Sequence, residues 1–244
     1  MPEPSPKRIL VVDVGGTRVK LLATGQTLKR TMDSGPRLTP RAMVAGVKKL
    51  TADWEYDAVS LGLPAPVVRG RVVAEPVNLG KGWMGFDFAE AFACPVKVIN
   101  DAAMQAVGAY RRGRMLFLGI GTGLGSALVL NGNLEPLEVA HLPYRKGRTF
   151  EDYVGKRGLK RLGKKRWRKH VLTVVALLRR AFLPEDVVLG GGNAKHLKAL
   201  PEGTRMGANA HAFKGGYALW TSKIVIARQW NELSDDWVTR LSTI

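Results

Sequence analysis

Cysteine is almost absent from this chain of 244 residues, in which Cys94 is the only one. A single cysteine excludes an intramolecular disulfide and a cysteine-rich zinc site, so we expect no structural zinc. We expect Cys94 itself to be a small apolar residue of the core. Cysteine usage of this kind predicts a reducing, cytoplasmic environment.

Long hydrophobic runs are lacking as well. No stretch approaches the roughly 20 apolar residues that a membrane-spanning helix needs. The N-terminal residues Met-Pro-Glu-Pro-Ser-Pro-Lys-Arg precede only a short apolar run, which does not resemble a signal peptide. We therefore expect a cytoplasmic protein without a membrane partner.

Acidic residues are scarce: the chain has 20 of them against 38 lysines and arginines, for a formal net charge of +18. Half of this excess lies between Lys156 and Lys169, where nine basic residues occur and no acidic one. Leu159, Leu162 and Trp167 give this segment apolar side chains to bury, although two glycines interrupt it. The pattern predicts a folded helical element with a fixed place on the surface.

A fixed cationic surface is typical of a protein that binds a polyanion, because each neutralised phosphate releases counterions. Inorganic polyphosphate needs only charge, whereas readers of nucleic acid need aromatic platforms or side chains aimed at base edges. Trp167 is the only aromatic residue here, so polyphosphate is favoured over nucleic acid, and a solvated face without a ligand remains an alternative. The candidate polyphosphate-binding residues are Lys160, Arg161, Lys164, Lys165, Arg166 and Arg168.

Glycines, in contrast, occur in clusters. The first follows the apolar run Ile9 to Val12 and reads as a buried strand that delivers a glycine turn. Adjacent glycines can adopt backbone conformations closed to other residues and turn their N–H groups toward an anion. A plain β-hairpin would look similar. The candidate phosphate-binding residues are Asp13, Gly15, Gly16, Thr17 and Lys20, with Asp13 also a candidate to hold Mg²⁺ through water.

Two further glycine clusters each follow an apolar strand pattern, from Gly119 to Ser126 and from Gly190 to Gly192. The first of these leads into another strand, so it is not a Rossmann fingerprint, which requires a helix. Three such turns suggest one nucleotide or polyphosphate site assembled from separate segments. The candidate residues here are Gly121, Thr122, Gly123, Gly190, Gly191 and Gly192.

Asn100 and Asp101 stand between a strand pattern, Val96 to Ile99, and a helix pattern that begins at Ala102. Asp101 is therefore expected near the carboxyl end of a strand and the start of a helix. One interpretation is that the pair caps the helix. The other is that Asp101 is a catalytic base.

The motifs and their order favour the second interpretation, because the chain resembles the ROK sugar kinases of the actin-like ATPase superfamily, and most closely their polyphosphate-dependent glucokinases. The segments that carry this resemblance are Asp13 to Lys20, Gly62 to Pro66, Pro76 to Leu79 with Trp83, Asn100 and Asp101, Gly119 to Ser126, Glu138 with His141, the basic segment from Lys160 to Lys169, and the glycines from Gly190.

The resemblance implies a role for individual residues. Asp101 would accept the proton of the sugar hydroxyl, and Asn100 would bind neighbouring hydroxyls. Glu138, His141 and Asn78 would also bind the sugar. Two positions depart from the family pattern, since Ala65 and Ala140 stand where relatives usually have glycine. Whether they alter activity is left open.

The order of predicted elements indicates an α/β fold. Helical patterns cover 41–53, 86–92 and 171–182, and extended patterns cover 58–63 and 186–189. The resemblance implies two ribonuclease-H-like lobes with a cleft between them. We expect residues 1–99 to form the first lobe, joined by 223–244, and residues 100–222 to form the second.

The function implied is transfer of a terminal phosphoryl group from polyphosphate or ATP, with Mg²⁺, to the 6-hydroxyl of glucose. The donor preference, the exact sugar, with mannose a further possibility, and the oligomeric state, with a homodimer common among relatives, are open. The alternatives are a catalytically inactive relative that binds a polyanion such as nucleic acid, and a sugar-responsive regulator. Regulators of this family carry a DNA-binding motif ahead of the first strand, and we expect none here because few residues precede Ile9.

Overall fold

The computed structural model of the chain describes residues 8–221 and 225–226. The strands are β1 (Ile9–Val14), β2 (Arg18–Ala23), β3 (Arg30–Asp33), β4 (Ala58–Leu63), β5 (Val67–Val68), β6 (Arg71–Val72), β7 (Val96–Asn100), β8 (Arg114–Ile120), β9 (Leu124–Leu130), β10 (Asn133–Leu137), β11 (Pro143–Arg145), β12 (Arg148–Thr149), β13 (Asp186–Gly190), β14 (Thr204–Met206) and β15 (Val225–Ile226). The helices are α1 (Pro40–Leu50), α2 (Phe88–Phe92), α3 (Asp101–Ala109), α4 (Phe150–Val154), α5 (Lys156–Phe182) and α6 (Ala210–Thr221).

These elements form two compact units. Among the described residues, unit 1 comprises 8–101 and the stretch from Leu219, and unit 2 comprises 102–218. Asn100 and Asp101, expected to begin the second lobe, thus fall in unit 1. The prediction that 223–244 packs on the first lobe concerns residues that, apart from β15, lie outside those described.

Unit 1 is built on a five-stranded sheet with the order β3-β2-β1-β4-β7. Strands β1, β4 and β7 run parallel, with β7 at one side of the sheet, and β2 and β3 continue the sheet antiparallel on the other side of β1. All six residues of β1 and all six of β4 are buried, as expected for central strands covered on both faces. Parallel strands end at the same edge, so the residues after β1, β4 and β7 come together there.

In unit 2, five strands lie in the order β14-β13-β8-β9-β10. β8 and β9 form an antiparallel hairpin around the second glycine cluster, and β13 lies parallel to β8 on its other side. One face of this sheet packs on α5 through a cluster that includes Leu116, Leu118 and Trp167.

The predicted helices and strands are confirmed, with limits set by local capping. The helix predicted over 41–53 is α1, where Thr39 accepts a hydrogen bond from Ala42 N and Pro40 occupies the first turn. The helix predicted over 86–92 starts at Phe88, because the Asp87 side chain accepts from Glu90 N. No helix within residues 8–221 is both long and apolar enough to span a lipid bilayer.

Candidate active site

The first glycine turn joins β1 to β2 in unit 1. Asp13 is 4% exposed, and its Oδ2 accepts a hydrogen bond of 2.8 Å from Lys20 Nζ. The two residues are direct partners in the antiparallel pair, which explains the contact. Thr17 is exposed at the tip of the turn, and its carbonyl accepts from Ser34 N.

The reason for glycine in this turn differs from the one expected. Gly15 is not among the residues with positive φ, so left-handed backbone is not what it supplies. A Cβ at Gly15 would instead lie 3.2 Å from the Arg18 carbonyl oxygen, to which Gly15 N donates across the turn. Close backbone approach favours glycine here, and the turn remains a compact hairpin.

Asp13 lies in a row that crosses the sheet. Its neighbours in register are Gly62 on β4 and then Ile99 on β7. Neighbouring strands are about 4.8 Å apart, so the row spans roughly 10 Å from Asp13 to Ile99. Gly62 contributes no side chain to it. Asp101 follows Ile99 by two residues, which places it at the same edge of the sheet as Asp13.

Asn100 and Asp101 lie where the sequence predicted. Asn100 ends β7, and Asp101 is the first residue of α3. Asn100 Nδ2 donates to the Ala65 carbonyl at 3.2 Å, which ties β7 to the segment after β4. Ala65 is 2% exposed, so its methyl group packs into the core of unit 1.

Asn78 lies in a loop organised by a carboxylate. Glu75 accepts hydrogen bonds from the backbone N–H groups of Gly82 at 3.1 Å, Trp83 at 3.2 Å and Met84 at 3.5 Å. Trp83 is fully buried, and its Nε1 has no hydrogen-bond partner among the described residues. Asn78 is exposed on this loop. The sequence motifs pointed to Asn78 and Trp83 but gave no signal for Glu75.

The second and third glycine clusters meet within unit 2. Gly119 and Gly190 are register partners in the parallel pair of β8 and β13. Asn193 donates from its backbone N to the Ile120 carbonyl at 2.9 Å and from Nδ2 to the Gly121 carbonyl at 2.7 Å. Gly191 has φ 82°, and a Cβ there would lie 2.4 Å from Ile120 O. The two turns therefore form one surface.

This surface has room at Gly121, where an added Cβ would meet nothing within 4 Å. Thr122 is exposed beside it, and its carbonyl accepts from Lys156 N at the start of α5. At Gly123 a Cβ would fall 2.0 Å from Glu151 Oε2. A larger residue at 123 would require the Glu151 side chain to move, because its carboxylate occupies the space.

Glu138 and His141 bound a short 3₁₀ turn after β10. The buried Ser126 holds this segment, because its Oγ donates to Leu137 O at 2.7 Å and accepts from Val139 N at 3.4 Å. Both Glu138 and His141 remain in contact with solvent. Ala140, the position where relatives have glycine, is buried in the cluster under α5.

Glu151 is a functional candidate that no sequence motif indicated. Its Oε2 accepts a hydrogen bond from Leu124 N at 3.3 Å, and Oε1 faces Arg157 at 3.5 Å. Desolvation by neighbouring groups raises the pKa of Glu138, the nearby His141 lowers it, and the charge of Glu151 raises it further. Glu138, His141 and Glu151 therefore form one polar cluster. The sequence signal for the helix that carries Glu151 is the capping box of Thr149 and Asp152, which begins α4.

The basic segment is helical, as predicted, and forms the first half of α5. A break at Gly163, where φ is 68° and ψ is 160°, divides the helix. Trp167 is fully buried and donates from Nε1 to Val154 O at 2.8 Å. Arg168 is half-buried and donates to His196 O. The other candidate residues are exposed: Lys160, Arg161, Lys164, Lys165 and Arg166.

Comparison with known proteins identifies the family of this chain. The profile described as the ROK family matches residues 9–136, which is more than half of the chain. The chain belongs to the ROK family. The matched region contains the first two glycine turns together with Asn100 and Asp101.

Two curated ROK relatives illustrate the range of similarity. The polyphosphate glucokinase of Mycobacterium tuberculosis is 28% identical over 207 residues, which cover 74% of this chain and 76% of that enzyme. The bifunctional enzyme NanE/NanK of Brucella melitensis is 30% identical over 140 residues, which cover 52% of this chain but only 27% of that enzyme.

Solved ROK structures share the fold. The inorganic polyphosphate/ATP-glucomannokinase from Arthrobacter sp. strain KM superposes with a TM-score of 0.75 at 22% identity, covering 88% of this chain and 98% of that one. A ROK glucokinase from Streptomyces griseus, solved with glucose and AMPPNP, gives 0.73 at 15% identity, covering 87% of this chain and 99% of that one. The predicted fold class, α/β of the actin-like ATPase type, is confirmed.

The residues of this ROK chain fit a phosphate-bound Mg²⁺ ion. Such an ion keeps several waters and takes one or two protein carboxylates. Asp13 can supply one, since its ion pair with Lys20 uses Oδ2. Within residues 8–221, no group of three or more histidine, cysteine or acidic side chains is arranged to enclose a metal ion. With a phosphate-bound ion, Asp13 would act through water.

Proposed function

We propose that this chain is a sugar kinase that transfers the terminal phosphoryl group of polyphosphate or ATP to the 6-hydroxyl of glucose. The observation that carries the proposal is the position of Asp101. It opens α3 directly after β7, the parallel strand at one side of the sheet, and lies at the carboxyl ends of the parallel strands, where Asp13 also lies. A carboxylate and a phosphate-binding turn at one sheet edge are the parts that phosphoryl transfer requires.

In the proposed reaction, the Asp101 carboxylate accepts the proton of the sugar hydroxyl as the hydroxyl oxygen attacks the terminal phosphorus. The bond between that phosphorus and the bridging oxygen breaks, and the shortened donor leaves with the electron pair. A base of this kind contributes typically about 10²–10⁴-fold to the rate. Asn100, held by its hydrogen bond to Ala65 O, would bind a neighbouring hydroxyl.

The remaining sugar contacts would come from Asn78 and from the polar cluster of Glu138, His141 and Glu151. Carboxylates accept from sugar hydroxyls, and histidine can donate or accept. Glu151 is included because the structure places its charge close enough to Glu138 to raise the pKa of that carboxyl group. Several fixed polar groups of this kind would orient the sugar.

The donor would be held by the glycine turns. Gly15, Gly16, Thr17 and Lys20 would contact phosphate at the first turn. The surface formed by the second and third turns has the room that phosphate oxygens need at Gly121. Mg²⁺, when bound, would neutralise phosphate charge, with Asp13 holding it through water. The exposed lysines and arginines of α5 would guide a polyphosphate chain. Transfer from ATP would not need them.

The test is a matrix of donors and sugars. Purified protein is assayed with ATP and with polyphosphate against glucose, mannose and their N-acetylated amino-sugar relatives. We expect Asp101→Asn to be inactive. The matched control is Glu90→Gln, which changes an exposed carboxylate on α2. The proposal fails if no donor and sugar combination gives product, or if Asp101→Asn retains the activity of the control. The homodimer remains a prediction that light scattering tests.

A further inference from the structure

A short basic hairpin lies outside the reaction described above. Strands β11 and β12 pair through a two-residue turn in which Lys146 has φ 52° and Gly147 has φ 67°. Two left-handed residues are what a tight hairpin of this kind needs. Three basic side chains, Arg145, Lys146 and Arg148, are exposed on it.

An aromatic cluster fixes the hairpin to α5. The Tyr144 hydroxyl is 3.1 Å from His170 Nδ1, and the two rings meet edge to face. The Tyr144 ring also packs on Tyr153 at 5.0 Å and on Phe150 at 5.4 Å between centroids. The hairpin is therefore positioned by packed side chains against the second half of α5.

The same rings carry two guanidinium groups. Arg145 lies 5.3 Å from the centroid of Tyr144, and Arg161 of α5 lies 5.1 Å from that of Tyr153. Stacking fixes a guanidinium plane and leaves N–H groups at its edge to bind an anion. His170 reports the proximity of both, because burial and then the charges of Arg145 and Arg161 lower its pKa.

Local acidic residues neutralise this surface only in part. Glu151 and Asp152 are nearby, but their ion pairs are with Arg157. Asp152 also completes the capping box with Thr149. Across residues 8–221, Arg145, Lys146, Arg148 and Arg161 form no ion pair with a carboxylate. Hydrogen bonds from Thr149, and to a smaller extent the charges of Arg157 and Arg148, lower the pKa of Asp152, so Arg148 interacts with a carboxylate at longer range. The four positive charges are thus held without a direct ion pair.

We propose that Arg145, Lys146, Arg148 and Arg161, here called the hairpin surface, bind an inorganic polyphosphate chain and extend the cationic face of α5 beyond the helix. This rests on the proposed function insofar as polyphosphate is a phosphoryl donor. Polyphosphate fits better than single-stranded nucleic acid, because the Tyr144 and Tyr153 rings are packed on one another and covered by guanidinium groups. They offer no face on which a base could stack.

The experiment compares Arg145→Gln with Lys146→Asn, made together, against Arg111→Gln with Arg112→Gln. Asparagine tolerates the left-handed backbone at 146. Arg111 and Arg112 are an exposed pair, so the control removes the same charge elsewhere in unit 2. Calorimetric titration with long-chain inorganic polyphosphate measures affinity across salt concentration, and kinase assays with ATP run in parallel. Thermal unfolding of both variants checks that they fold.

We expect the hairpin variant to bind polyphosphate roughly tenfold more weakly than the control at moderate salt, with a shallower salt dependence. Turnover with ATP should not change. In the wild-type protein, polyphosphate should raise the pKa of His170 in an NMR titration, since it neutralises Arg145 and Arg161. The hairpin variant should show a smaller shift, since only Arg161 then remains to be neutralised.

Equal binding by the hairpin and control variants would overturn the proposal, as would a single-stranded RNA that binds the hairpin surface more tightly than polyphosphate. Failure of the proposed function would give a different experimental result. In that case the wild-type protein phosphorylates no sugar with either donor, while the difference in polyphosphate affinity between the variants persists.

Discussion

Asp13 and Lys20 face one another across the first hairpin, where the buried carboxylate of Asp13 accepts a 2.8 Å hydrogen bond from the lysine. Removing the partner leaves a buried charge without its counterion. Because Lys20 is partly exposed, we expect Lys20→Met to lower the free energy of unfolding by only about 1–2 kcal/mol. Urea denaturation measures the change.

Lys20→Arg is the control for this pair, since it keeps the charge opposite Asp13. It should retain most of the stability that Lys20→Met loses. If the methionine variant is as stable as the wild-type protein, the ion pair contributes nothing to folding. If only the KM for the phosphoryl donor rises, Lys20 acts on phosphate and not on the fold.

Gly121→Ala separates a phosphate contact from a packing role. The added methyl group has open space, so we expect the free energy of unfolding to stay within about 0.5 kcal/mol of wild type. The same methyl group would occupy space that a phosphate needs, and the KM for ATP or polyphosphate should rise. Denaturation and steady-state kinetics are measured together. Unchanged donor KM would remove the second turn from the donor site.

The pKa of Glu138 predicts the pH dependence of sugar binding. Desolvation raises this pKa, and the charge of Glu151 raises it further, so Glu138 becomes a carboxylate only above its usual range. Sugar affinity should therefore increase as pH rises through that raised pKa. Glu151→Gln removes a negative charge and should move the increase to lower pH, because the Glu138 pKa falls.

The dissociation constant for glucose is measured between about pH 4 and 8, a range that begins near the ordinary pKa of a glutamate carboxyl group. Glu151→Asp serves as the control, since it keeps the charge. A midpoint that is the same in Glu151→Gln and in the wild-type protein would show that the two carboxylates do not interact.

Glu75 is expected to position the Asn78 loop without touching the sugar. Glu75→Gln keeps the size of the side chain but weakens its charge-assisted hydrogen bonds to Gly82, Trp83 and Met84. If Asn78 binds sugar, the KM for glucose should rise about 3- to 30-fold, with kcat changed much less. Asn78→Ala should show the same split. Equal losses in kcat and kcat/KM would place Glu75 in the chemical step instead.

Local patterns in the chain were sufficient for much of the fold. Buried strands such as Ala58–Leu63 are short apolar runs between turns, and α1 and α2 begin at capping side chains one residue before each helix. Such signals depend on neighbours within a few residues. The positions of Asn100 and Asp101 followed for the same reason, because a strand pattern passes directly into a helix pattern there.

Local sequence patterns could not predict the contacts between distant segments. Gly190 reaches Gly119 only because β13 adds to β8 in parallel, and Glu151 reaches Glu138 only because α4 folds back beside the 3₁₀ turn. The tight space at Gly15 likewise comes from a carbonyl oxygen three residues away in the folded turn.

The sequence by itself thus determined the elements, the glycine turns and the family motifs, because hydrophobic period and capping act locally. Only the tertiary structure decided which turns share a surface, which carboxylates interact and where the basic hairpin docks. Strand pairing and side-chain packing join segments far apart in the chain, and no local pattern records those partners.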